Sequence, residues 1–205
     1  MIGRMNLRHA TPEDAEAIAK VHVDAWRIAF RGVLPDAELD ALHWTQRVGG
    51  WRERTAPGSG VTVLVADVAD EVAGFAASGP SRDPDLGPDR AWELYMMYLG
   101  PASWRRGIGT ALLRRTIEAV PVHVPALVLW VLDENIRARS FYERHGLAPD
   151  GTSRPSMLGP PYTDFRYRMT LRRTGPSDGT TPPDRTGPPD RTGPSGGSAP
   201  SGPRG

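Results

Sequence analysis

Apolar positions along the chain change period in a definite order, and that order predicts the elements. Residues 4–9 read as a short strand. Thr11 then caps a helix, with Pro12 in its first turn and Asp14 three residues after the cap. Ile18, Val21, His22, Ala25 and Ala29 recur at helical spacing and form its buried stripe. Leu34-Pro35-Asp36 opens a second helix, with Leu39, Leu42 and Val48 inward and Trp44 and Trp51 nearby. Residues 61–66 and 71–78 are β-branched runs joined by a short acidic turn, which predicts a hairpin. A polar, Pro-rich loop over 80–90 leads to an apolar strand from Glu93 to Leu99. Ile108, Leu112, Leu113 and Ile117 mark the next helix, and 126–132 an apolar strand. Residues 135–144 form a helix closed by Gly146, and 165–171 alternate as a final strand. The order β α α β β β α β α β predicts an α/β fold, a mixed sheet with helices on both faces.

The chain has 205 residues and a formal net charge of +1, enough for one ordinary domain and a tail. That charge supplies no basic field to steer it to nucleic acid. From about Thr174 the sequence is, apart from Ala199, Gly, Pro, Ser, Thr, Asp and Arg, and Pro-Asp-Arg-Thr-Gly-Pro occurs at 183–188 and again at 189–194. Such a segment has almost nothing to bury. Residues 1–172 are therefore expected to form the domain and 173–205 a solvated, disordered tail. Cysteine is absent, which excludes disulfides, thiolate metal sites and a cysteine nucleophile. No His/Asp/Glu cluster has metal spacing, so no metal is expected. The N-terminus lacks the apolar core of a signal peptide, and the longest apolar run, residues 126–132, is far too short to span a bilayer. A cytoplasmic location without membrane attachment is the expectation.

Trp104-Arg105-Arg106-Gly107-Ile108-Gly109-Thr110 sets two glycines and two arginines where a strand hands over to a helix. Glycine lets a ligand approach the backbone, first-turn N–H groups lack intrahelical partners, and the helix dipole favours an anion. A Walker loop would need Gly-Lys-Ser/Thr, and Lys20 is the chain's only lysine; a dinucleotide loop would need a third glycine where Leu112 stands. Two readings stay open on these residues alone: a pyrophosphate cradle outside both classes, or a glycine-softened turn with solvated arginines.

Order and motifs together resemble the GNAT family of N-acetyltransferases over about residues 4–171. The family's Gln/Arg-x-x-Gly-x-Gly/Ala motif reads Trp104-Arg105-Arg106-Gly107-Ile108-Gly109. Its second segment reads Asn135-Ile136-Arg137-Ala138-Arg139-Ser140-Phe141-Tyr142-Glu143-Arg144-His145-Gly146-Leu147. Trp104 departs from the pattern, where a polar side chain is usual. The resemblance implies a mostly antiparallel sheet of six to seven strands and acetyl-CoA as cosubstrate. It further implies a small-molecule or peptide amine as acceptor. Homodimers are frequent in the family.

By the same resemblance, Arg105, Arg106, Gly107, Ile108, Gly109 and Thr110 hold the pyrophosphate. The backbone of Met97, Tyr98 and Leu99 aligns the pantetheine arm, and Asn135 contacts the cofactor; a simple helix N-cap is the other reading of Asn135. Tyr142 gives a proton to the departing thiolate; otherwise it is a core aromatic like Phe141. An alkyl amine has a pKa of about 10, so amine attack calls for a base or a water chain. Glu93 stands at the family's base position, or is a strand-edge carboxylate exposed to water or paired with Arg90. Trp26, Arg27, Phe30, Arg31 and residues 153–162 fall where acceptor specificity is expected. With no cysteine and no Gly-x-Ser-x-Gly, direct transfer in a ternary complex is expected rather than an acyl-enzyme. The competing reading is a catalytically quiet acyl-CoA sensor or partner module of the same fold. His22, on an apolar stripe, reads as a satisfied core or pocket residue.

Overall fold

In the computed structural model, which describes residues 5–171, seven strands form one sheet. They are β1 (Met5–His9), β2 (Thr62–Val68), β3 (Glu71–Pro80), β4 (Trp92–Leu99), β5 (Ala126–Leu132), β6 (Ala148–Pro155) and β7 (Thr163–Thr170), in the order β1-β2-β3-β4-β5-β7-β6. Only β4 and β5 are parallel neighbours. The helices are α1 (Ala15–Ala29), α2 (Asp36–Ala41), α3 (Thr45–Thr55), α4 (Ile108–Ala119) and α5 (Ile136–Arg144). The expected tail, residues 173–205, lies outside the described residues. Among those described, no helix is long and apolar enough to cross a membrane.

Alternation in the central strands builds two cores. Val63, Val65, Phe75 and Ala77 face Ile18 and Val21 of α1 and Trp51 of α3. Leu64, Ala66 and Ala76 face the other way, with Leu112 and Leu113 of α4, Tyr142 of α5, and Leu127 and Leu129 of β5. Each such fully buried aliphatic or phenyl group contributes about 1.5–3 kcal/mol. A one-residue slip would turn every one of them to the wrong face, so the register is strongly specified.

Three elements differ from the sequence expectation. The hairpin strands run on to Val68 and Pro80, leaving Ala69 and Asp70 as a two-residue turn with φ of 53° and 63°, the left-handed geometry that matches strand twist. The second helix is two helices. Arg27 draws off the chain between them, donating to the carbonyls of Leu39 at 3.3 Å and Leu42 at 2.7 Å, while Leu42 itself is extended, with ψ 125°. Strand β6, Ala-Pro-Asp-Gly-Thr-Ser-Arg-Pro, has no apolar alternation to give it away. It lies at the sheet edge, where prolines are tolerated, and its pairing with β7 is interrupted between Pro149 and Ser153.

Candidate active site

Strand β4 changes phase in its middle. Trp92 and Leu94 pack under α4, but Met96 and Tyr98 pack under α1 and α3, while Met97 and Leu99 return to the α4 side. The inversion is a one-residue bulge at Tyr95, since Ala77 pairs with Met96 and Ser78 with Leu94. On its other edge β4 pairs with β5 only over Trp92–Leu94 against Leu127–Leu129; β5 continues beside β7 to Leu132 instead. Beyond Leu94 the β5-facing edge of β4 therefore has no strand partner among the described residues. The backbone of Met97, Tyr98 and Leu99 lies along that edge.

The same end of β4 leads to α4. Gly107 is the N-cap, with φ 80°, and no side chain caps the helix. The first intrahelical bond runs from Ala111 N–H to Gly107 C=O at 3.0 Å, which leaves the N–H groups of Ile108, Gly109 and Thr110 ahead of it. Arg105 is left-handed, with φ 59°, and neither Arg105 nor Arg106 is ion-paired among the described residues. Arg106 reaches only the carbonyl of Ala102, at 3.4 Å. Trp104 ties the loop back by donating its indole N–H to Leu99 C=O at 3.2 Å, and its ring carries the Arg137 guanidinium at 3.6 Å. A cation that the motif does not specify thus stands beside the loop.

Helix α5 is fastened to the first turn of α4. Phe141 lies 3.4 Å from the place a Cβ would take on Gly109. His145 Nδ1 donates to Phe141 C=O at 2.8 Å, so its Nε2 accepts from the Thr110 hydroxyl at 2.9 Å. Asn135 accepts from Ala138 N–H at 3.1 Å and is the N-cap of α5, the plainer of its two readings, with only its side-chain N–H groups left over. Tyr142 is 8% exposed, and burial, with Tyr98 nearby as a smaller cause, pushes its phenol above the usual range. Burial likewise pushes Tyr98 up to about 12.

Glu93 is 3% exposed and faces the α1 side. It is neither exposed to water nor paired with Arg90; its partner is Arg82, whose backbone N–H reaches Oε2 and whose guanidinium reaches Oε1, each at 3.0 Å. Both oxygens are engaged. His22 is buried: Trp51 Nε1 donates to its Nδ1 at 3.2 Å, and burial lowers its pKa to about 3. It is a neutral core imidazole stacked on Tyr98. Neither His22 Nε2 nor Trp26 Nε1 has a hydrogen-bond partner among the described residues, although the Trp26 indole lies close enough to the Tyr98 phenol to favour its ionised form slightly.

Trp26 and Phe30 join Leu132, Leu158 and Tyr162 in one apolar cluster, so the loop after α1 meets residues 153–162. Tyr162 closes that contact by donating to Val33 C=O. Arg31 stands apart from the cluster, paired with Asp36 and Asp40 at 3.0 Å on the surface. Sequence reasoning included Arg154 only within the stretch 153–162 and missed the other charged groups on this face: Arg82, Asp83, Asp164 and Arg166. All lie in the polar loop, in β6 or in β7, and nothing in their spacing announces that the fold collects them.

Residues 18–147 match the model of the acetyltransferase (GNAT) family. The chain is similar to an uncharacterised N-acetyltransferase of Bacillus subtilis, with 36% identity over 133 residues, 64% of this chain and 73% of that protein. It is also similar to an L-amino acid N-acetyltransferase of Escherichia coli, with 26% identity over 81% of this chain and 97% of that one. In fold it is similar to the PaiA N-acetyltransferase of Thermoplasma acidophilum, solved in complex with coenzyme A; the TM-score is 0.67 at 18% identity, covering 82% of this chain and 99% of the other. A bulged β4 parted from β5, an uncapped glycine turn after it and the match over 18–147 converge: the chain belongs to the GNAT family and is an acetyl-CoA-dependent acetyltransferase.

Proposed function

We propose that the protein moves the acetyl group of acetyl-CoA directly to the primary amine of a small acceptor, with both substrates bound at once. The observation that carries this is the coincidence, at the C-terminal end of β4, of an unpaired strand edge and an uncapped helix first turn. Three outward N–H groups beside Arg105, Arg106 and Arg137 fit a diphosphate, and the Met97 backbone, on the edge that no strand pairs and next to a Leu99 C=O taken by the Trp104 indole, fits an amide-bearing arm. Acetyl-CoA supplies an activated carbonyl and a thiol leaving group. In the balance, a C–N bond forms, a C–S bond breaks, the amine loses one proton and the sulfur gains one.

Tyr142 is the proton donor in this reading. Its phenol is protonated at neutral pH at the usual pKa of about 10, and burial, which pushes that pKa up, keeps the proton on it until sulfur takes it. Glu93, held by Arg82 through both of its oxygens, keeps lone pairs free and takes the amine's proton through water. Trp26 and Phe30 bound the acceptor. Arg31, tied to α2, acts by holding the loop in place rather than by contact. An amino acid is the acceptor to try first, since the Escherichia coli relative is named for one.

Tyr142→Phe tests the reading. Turnover should fall about 100-fold while the Kd for acetyl-CoA stays within about twofold. Unchanged turnover would remove Tyr142 from the mechanism, and tight acetyl-CoA binding without transfer to any amine would leave a quiet binding module.

A further inference from the structure

Strand β7 opens with a carboxylate that the chemistry above does not use. The Asp164 side chain is 12% exposed, yet among the described residues it accepts no hydrogen bond. Its one ion pair, with Arg154 Nε, is 3.8 Å long, beyond hydrogen-bond range. No protein donor binds this carboxylate among the described residues, and its oxygens are not fully buried, so water reaches them and a ligand's donor can take that water's place. Its neighbours are not so placed. Asp83 accepts from Trp130 Nε1 at 3.0 Å and Arg166 at 3.2 Å, Asp150 accepts from Arg166 at 2.6 Å, and Glu93 accepts from Arg82.

Arg154 is the cross-strand neighbour of Asp164 on β6 and has the complementary deficiency. Its guanidinium is fixed over the Trp130 ring at 3.9 Å and reaches Asp83 only at 3.9 Å. It donates no side-chain hydrogen bond among the described residues, and 46% of it stays exposed. Stacking holds the plane of the fork while leaving its N–H groups unspent.

These two groups face the acceptor cluster. Asp164 sits directly opposite Leu132 of β5, so their side chains share a face, and Leu132 packs with Trp26, Phe30, Leu158 and Tyr162. The Tyr98 phenol is close enough to Asp164 to feel its charge. An acid and a base held side by side without a hydrogen bond between them form a slot that a ligand carrying both charges closes from both ends. We infer that Asp164 and Arg154 are the acceptor-recognition pair of this enzyme, Asp164 taking the ammonium and Arg154 the anionic group of a zwitterionic primary amine. An α-amino acid with an apolar side chain meets both charges and the Trp26–Tyr162 cluster. The inference rests on the acetyl-transfer reading and names the acceptor class for it.

The test uses the full chain at saturating acetyl-CoA, with L-phenylalanine against phenethylamine and L-leucine against isopentylamine, pairs that differ by the carboxylate alone. Wild type should favour each amino acid in kcat/KM by about tenfold or more. Arg154→Gln should erase that preference, chiefly through a rise in KM for the two amino acids. Asp164→Asn should raise KM for all four about tenfold or more, with acetyl-CoA Kd and Tm unchanged. Equal kcat/KM within the pairs in wild type, or an unchanged KM in Asp164→Asn, would overturn the inference. Calorimetric titration with L-phenylalanine separates it from the transfer reading. If no amine turns over but L-phenylalanine binds to wild type and not to Asp164→Asn, recognition stands and transfer fails; if it binds to neither, the pair is not an acceptor site.

Discussion

His22 carries a measurable consequence of burial. Its folded pKa is lowered to about 3 by desolvation, with Arg47 and Arg54 as smaller causes, against about 6.5 unfolded. The unfolded chain therefore takes up a proton below pH 6.5 that the folded one refuses, and stability is lost as pH falls through that window. Between pH 7 and pH 5 this one group should remove about 2 kcal/mol. Urea unfolding of wild type and His22→Gln at both pH values reads it: the variant should lack that increment, and parallel losses would contradict it. Gly107 gives a second residue-scale expectation. No atom lies within 4 Å of a Cβ placed there, so Gly107→Ala should cost only the left-handed strain, about 1–2 kcal/mol, along with weaker acetyl-CoA binding. At this scale the sequence was legible where local geometry decides, as in the glycine turn at Gly107 and the cap Asn135. It was illegible where tertiary contact decides. Glu93 chose Arg82 over Arg90, and Asp164 and Arg154 meet only because β6 and β7 pair.

Among elements, the polar loop between β3 and β4 deserves a different reading from the one its composition suggests. It is pinned across the sheet, with Asp83 and Asp85 both bound to Arg166 of β7, which also holds Asp150 and Thr152 of β6. Arg166 is buried, so Arg166→Met would strand Asp150 without its counter-charge and leave Asp83 only the 3.9 Å contact with Arg154. The loss should be about 3–5 kcal/mol, read from the urea midpoint, and Arg166→Lys should recover less than half of it because an ammonium cannot serve the same fork of acceptors. A loss below about 1 kcal/mol would show the loop to be held otherwise. Long periodic elements were readable in advance: α1 and α4 have the expected faces, and β5 the expected span. The break between α2 and α3 was not, since it depends on a guanidinium from α1, and β6 was not, since an exposed edge strand needs no apolar pattern.

For the molecule as a whole, seven strands, two cores and a parted central pair make a scaffold whose ligand should stabilise it by mass action. Acetyl-CoA at about 100 times its Kd should contribute about 2.7 kcal/mol, a rise in Tm of about 5–10 °C for a domain of this size. An unchanged Tm across that titration would contradict the uncapped turn of α4 as the cofactor site. The mixed sheet was legible because the motif and the order of elements agreed; of the proposed acceptor side only Trp26, Phe30 and the stretch 153–162 were, because the charges of the β3–β4 loop and β7 join them only through the sheet pairing. The most direct test is the initial rate of CoA release over a grid of acetyl-CoA and L-phenylalanine concentrations. Direct transfer in a ternary complex requires release that depends on the amine, one acetylated amine per CoA, and reciprocal plots that intersect. Release independent of the amine, or parallel plots signalling an acyl-enzyme, would contradict it.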